Sequence, residues 1–148
     1  MPAGARAQPG IGPTVKLDAP VELESLAILG TEAVDLLCRG DIDTLAGRYG
    51  YALSFGRDTA TAIRDDLRRC LSQVGASSLA PAPEHSVRTV KFFEPNSSNL
   101  VALVECVAPT ENGTAVLVEL VVTSKGTEKY VTLEDLSGLD AQGHLTER

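Results

Sequence analysis

The sequence predicts an α+β fold: three N-terminal helices packed on a curved four-stranded antiparallel sheet. Three observations predict it. Up to Val74 apolar residues recur at three- and four-residue spacing, the period of a helix with one buried face. From Ser86 onward the period falls to two, in stretches rich in Val, Leu and Thr, which is the period of a strand. Between them, residues 76–84 read Ala-Ser-Ser-Leu-Ala-Pro-Ala-Pro-Glu, an aperiodic link whose prolines let the chain change from helical to extended. The whole chain has 148 residues, within the common size of one domain, about 100–150 residues.

Residues 1–17 hold three prolines, three glycines and three alanines and predict a disordered tail ahead of a single domain over 18–138. A first helix is predicted over 20–39, where Leu23, Leu26, Ala27, Ala33, Val34 and Leu37 share a face. Pro20, Glu22 and Glu24 suit its positive end, and Gly40 its close. Gly30 is its weak point, because a mid-helix glycine costs about 1 kcal/mol relative to alanine; it marks a bend or the close approach of another backbone. Asp41 can cap a second helix, with Ile42, Leu45, Ala46 and Tyr49 on one face before Gly50 ends it. Residues 51–55 are rich in strand formers and read as a short strand or an irregular piece. A third helix follows Gly56-Arg57-Asp58, with Ile63, Leu67, Cys70, Leu71 and Val74 on one face and Gly75 at its stop. Its other face carries Arg64, Asp65, Arg68 and Arg69, read together with Arg57, Asp58 and Asp66 as solvated, intrahelically paired charge.

Four strands are predicted over 87–94, 100–108, 115–124 and 128–136. Their links, 95–99, 109–114 with Asn112-Gly113, and 125–127 with Gly126, are hairpin connections, so the strands are antiparallel neighbours. Val116, Val118, Leu120 and Val122 should face the helices. The second strand is apolar on both faces, interrupted only by Glu105, as in mid-sheet or at a subunit contact. Residues 139–148 are polar and predict a flexible C-terminal tail.

With 13 Lys plus Arg against 20 Asp plus Glu, a formal net charge of -7, the chain argues against nucleic-acid binding, which needs clustered cations. No apolar stretch approaches the roughly 20 residues that cross a bilayer, and none resembles the core of a signal peptide, so no membrane partner and a cytoplasmic location are expected. Cys38, Cys70 and Cys106 form no CxxC pair and read as small hydrophobes. Neither a cofactor nor a metal is indicated, since no phosphate loop, dinucleotide fingerprint, nucleophile elbow or zinc spacing occurs. The chain has no Trp and few other aromatics, which counts against stacking of planar ligands.

The run Ala33-Val34-Asp35-Leu36-Leu37-Cys38-Arg39-Gly40-Asp41-Ile42-Asp43-Thr44-Leu45 resembles the opening of the NTF2-like (cystatin-like cone) superfamily. Gly56-Arg57 followed by Ala62-Ile63-Arg64-Asp65-Asp66-Leu67 is similar to that family's third helix and its lead-in, and with the strand meander the resemblance covers 21–136. The family has a longer stretch between its second and third helices than residues 51–58 supply, which shortens or closes the mouth of the cone. Enzymes of the family place an Asp or His base and Tyr donors in a pocket between helices and sheet. The resemblance therefore makes Asp43, Tyr49, Tyr51, His85, Glu105, Glu119 and Tyr130 the candidates. A carboxyl in such a pocket is raised and can act as a base.

Ordinary roles stand beside each. Asp41 and Asp43 can cap a helix and complement its dipole. His85 and His144 read as solvated. Glu105 and Glu119 could be cross-strand neighbours that repel, or Glu119 could pair with Lys91 or Lys129. The first expectation is thus a non-catalytic interaction domain, dimeric through the open face of its sheet and presenting acid to a protein partner, as small immunity or accessory factors do. The alternative is an enzyme of SnoaL-like or ketosteroid-isomerase-like type acting on a small apolar substrate.

Overall fold

The computed structural model describes residues 14–17 and 21–146. Its elements run β1 (Val15–Leu17), α1 (Leu23–Cys38), α2 (Ile42–Tyr49), α3 (Thr59–Gln73), β2 (Val87–Phe92), β3 (Leu100–Pro109), β4 (Ala115–Lys125) and β5 (Glu128–Leu139). The architecture is α+β, with three helices on an antiparallel sheet of five strands in the order β1-β5-β4-β3-β2. The fifth strand comes from the expected tail. Val15 pairs with Val131, Lys16 with Tyr130 and Leu17 with Lys129. Lys16 Nζ meets Glu128 Oε2 at 2.6 Å. Three residues are too few for a period to be read, so the strand exists only because β5 offers an edge.

The helix boundaries follow local chemistry. At the start of α1, the Glu22 N–H donates to Ser25 Oγ at 3.3 Å, and that hydroxyl donates to the Glu22 carbonyl at 2.9 Å. The expected Pro20 start lies outside the described residues. Asp58 caps α3 by accepting from the Thr61 N–H at 3.1 Å, satisfying one of the orphan donors of the first turn. Asp41 stands at the N-cap of α2 but its side chain makes no capping bond. The C-terminal end of α3 is closed from outside the helix. Asn112 of the β3–β4 hairpin donates Nδ2 to the Gly75 and Val74 carbonyls, at 3.0 and 3.3 Å. Residues 51–55 are irregular rather than a strand, although the Ala52 N–H bonds the Leu133 carbonyl at 2.9 Å.

Register decides which residues meet the helices. Val104 pairs with Leu120 and Leu120 with Leu133; Cys106 pairs with Val118 and Val118 with Leu136. All six are fully buried, as are Val116 and Val122, against Leu26, Val34, Leu37, Leu45 and Ile63. At Gly30 the helix lies directly on the sheet. A Cβ there would meet Cys106 Sγ at 2.7 Å and Val87 Cγ2 at 2.8 Å. Gly30 therefore answers to side chains of the sheet, not to a backbone.

Strand β5 runs three residues beyond the expected 136, and the chain then turns back. Asp140 N–H bonds the His144 carbonyl at 2.8 Å, Thr146 N–H bonds that of Gly138 at 3.0 Å, and Leu145 bridges to Leu139. Arg88 of the β2 bulge donates Nη1 to the Gly143 carbonyl at 3.1 Å. Residues 139–146, part of the segment expected as a C-terminal tail, thus bond back onto the end of the sheet. Among the described residues no helix is long and apolar enough to cross a membrane.

Candidate functional site

Two buried phenols are the natural places to look for inward donors, and each already has its partner. Tyr49 closes α2 and has no exposed surface; its hydroxyl donates to Glu32 Oε1 at 2.6 Å and also reaches the Leu29 carbonyl at 3.2 Å. Arg48 Nη2 meets the same Glu32 oxygen at 3.1 Å. Burial, then the bond to Glu32, pushes the Tyr49 phenol far up. Its role is to join α2 to α1.

Tyr51 belongs to a second cluster, centred on Asp66. Its hydroxyl donates to Asp66 Oδ2 at 2.6 Å. Arg57 donates Nη1 to Asp66 Oδ1 at 3.2 Å, Nη2 to the Leu53 carbonyl at 2.6 Å, and Nε to the Ser54 carbonyl at 2.9 Å. Arg69 Nη1 lies 3.5 Å from Asp66 Oδ1. Asp66 is only 7% exposed. Burial by itself raises its carboxyl, but the bonds from Arg57 and Tyr51, with the charges of Arg57 and Arg69, outweigh that and hold it below the usual carboxylate range. Burial and the bond to Asp66 push the Tyr51 phenol far up. An ionised acid held below the usual range, with its oxygens taken by Arg57 and Tyr51, is a weak general base and no general acid near neutral pH. The cluster instead staples loop 51–57 to α3. Phe55, at φ 50°, stands 80% exposed on that loop.

Asp66 and Arg57 correct the reading of the third helix as a solvated charged face. Asp66 lies three residues after Ile63 and four before Cys70, on the apolar side, and that spacing is the signal that it is buried. Glu32 carries no comparable signal, because its partner comes from another helix.

The remaining candidates are dispersed. Asp43 lies in the first turn of α2 with its side chain 83% exposed, 3.3 Å from Arg64 Nη2. His85 is exposed beside Glu84, at 3.2 Å. Tyr130 donates to Glu128 at 2.6 Å beside β1. Only Glu105 and Glu119 come together, as direct partners in register, with Asp135 opposite Glu119 on the next strand. The neighbours of Glu105 and Glu119 along the strands, Val104 and Leu120, face the helices, so these two carboxylates lie on the outer face. Arg88 Nε stands 3.8 Å from Glu105 Oε1. Glu119 is not matched in register with Lys91, which pairs with Leu103, or with Lys129, which pairs with Ser124.

Cys70 and Cys106 are buried thiols, and Cys38 is half-buried. Burial pushes Cys106 up to about 12, with the Glu105 charge adding to it, and Cys38 up to about 11, helped by Asp35. Thiols held in the protonated form behave as apolar filling. Among the described residues no group of three or more His, Cys, Asp or Glu could hold a metal ion. No protein-family model, curated protein or solved structure matches the chain.

Proposed function

We propose that this chain is a non-catalytic, cytoplasmic interaction domain of NTF2-like type, which pairs with a second copy through the outer face of its sheet and offers its acidic surface to a protein partner. The observation that carries the reading is the apolar content of that face. Leu103 pairs with Val121 across β3 and β4 on the side opposite the helices, and both are only half-buried, so the hydrophobic effect favours a further cover there; beside them Val107 pairs with Leu117, which the chain itself already buries. A strand apolar on both sides and helix-covered on one is what a sheet-to-sheet contact requires. The chemistry of the buried groups agrees: both inward phenols are engaged by carboxylates, and at Gly30 the helix packs onto Cys106 and Val87 where an isomerase-like enzyme would need room.

Sedimentation equilibrium at high micromolar concentration tests the pairing. The native chain is expected at twice its chain mass, and Leu103→Asp and Val121→Asp at the single-chain mass with unchanged circular dichroism. A native chain that stays monomeric rejects the reading.

A further inference from the structure

Sheet-to-sheet pairing must deal with the acid on the outer face. Glu105, Glu119 and Asp135 occupy matched positions on β3, β4 and β5, and two such rows stacked on each other would repel. At its β1 edge the same face carries Lys16, opposite Tyr130 and held by Glu128 at 2.6 Å; the cations beside the carboxylates stand on β2. Lys91 of β2 pairs with Leu103, so it lies one register step from Glu105, and its Nζ lies over the Phe93 ring at 5.1 Å. Arg88, on the same strand, reaches Glu105. The face is therefore divided into a basic β2 side and an acidic row across the three strands beside it. A surface carrying both signs in separate places is complementary to a rotated copy of itself.

Resting on the sheet pairing proposed above, we infer that the two copies cross steeply, so that each copy's β2 lies over the other's carboxylate row and Lys91 of one meets Glu105 and Glu119 of the other. A two-fold axis lying between the sheets, diagonal to the strands, makes both contacts at once. Sheets packed with strands near right angles are one of the two common arrangements. The apolar positions Leu103 and Val121, one step from the row, then come under the same cover. An aligned stack with the axis along the strands would instead set Glu105 of one copy against Glu119 of the other.

Charge reversal read by mixing tests this. Lys91→Glu and Glu119→Lys should each weaken self-association about tenfold or more, by sedimentation equilibrium or isotope-dilution cross-linking. An equimolar mixture of the two should recover most of the native affinity, because in the mixed dimer both contacts between positions 91 and 119 are again opposite in sign and only one contact, with Glu105, stays unfavourable. Recovery on mixing cannot come from effects within one chain. If both variants associate as the native chain does, or if mixing restores nothing, the crossing is wrong while the sheet pairing stands. If the native chain does not self-associate at all, it is the pairing that fails. Should Glu119→Lys lose its native circular dichroism, Glu105→Lys replaces it in the same mixture, with the same outcomes.

Discussion

On the helix-facing side of the sheet, Val104, Leu120 and Leu133 stand side by side on β3, β4 and β5, and none is exposed. One residue along β3 and β4, and two along β5 where a bulge at Glu134 shifts the register, Glu105, Glu119 and Asp135 are matched in the same way. A strand turns alternate side chains to opposite faces, so the same strands carry an apolar layer and a row of carboxylates without conflict. The inner row holds the molecule together. The outer row contributes little to that, and its chemistry concerns whatever meets the face.

The comparison predicts a graded series of effects. Leu120→Ala removes a fully buried side chain at the centre of the inner row and should cost about 2–5 kcal/mol, measured by urea denaturation. A loss below about 1 kcal/mol, the range of surface substitutions, would mean that the inner row is not the core. Asp66→Asn comes next, at about 2 kcal/mol near neutral pH, because Arg57 and Tyr51 lose a charged acceptor. Its sign with pH is fixed. The Asp66 carboxyl titrates below the usual range in the folded chain, so the native state binds fewer protons there than the unfolded one. The stabilisation is complete above the ordinary carboxylate range and is lost as pH falls toward the lowered value. The native and Asp66→Asn stability curves should therefore converge in acid; parallel curves would show that the staple does not depend on charge.

Gly30→Ala should cost about 1 kcal/mol, since overpacking against Cys106 and Val87 outweighs the gain in helix propensity. Adding Cys106→Ala should return most of it, and a stabilised single variant would contradict the close contact. The smallest effect belongs to the β5 bulge. Burial, with the Asp135 charge beside it, raises the Glu134 carboxyl, so its ionisation opposes folding once pH rises through the carboxylate range. Glu134→Gln should raise the melting temperature slightly at pH 7 and leave it unchanged in strong acid. An equal shift at both would assign the effect to packing.

The hairpins and the inner face were legible because they depend on near neighbours. Asn112-Gly113 and Gly126 mark turns, and the alternation of Val116, Val118, Leu120 and Val122 survives in the folded chain as full burial. The first and third helices were legible for the same reason, from Leu26, Val34 and Leu37 and from Ile63 and Cys70. Much of the polar chemistry was not. Asp43 and Arg64 are 21 positions apart, Tyr49 and Glu32 are 17 apart, and no periodic pattern links residues of different helices. Asp66 was misread because a charge among charges looks solvated; only its place between Ile63 and Cys70 argued otherwise.

The sequence by itself determined where helices and strands form, how the strands connect and which face of β4 is covered, because propensity, turn chemistry and hydrophobic period act over a few residues. Tertiary structure alone decided that Val15–Leu17 adds a strand, that the residues after β5 fold back and that Arg57 turns inward to Asp66, whereas the pairing of Glu105 with Glu119 was among the alternatives the sequence offered. The first depends on bringing together segments far apart in the chain, which happens only when burial of the shared core offsets the entropy of closing the loop between them; the others are polar and turn contacts between nearer residues, which no apolar period encodes.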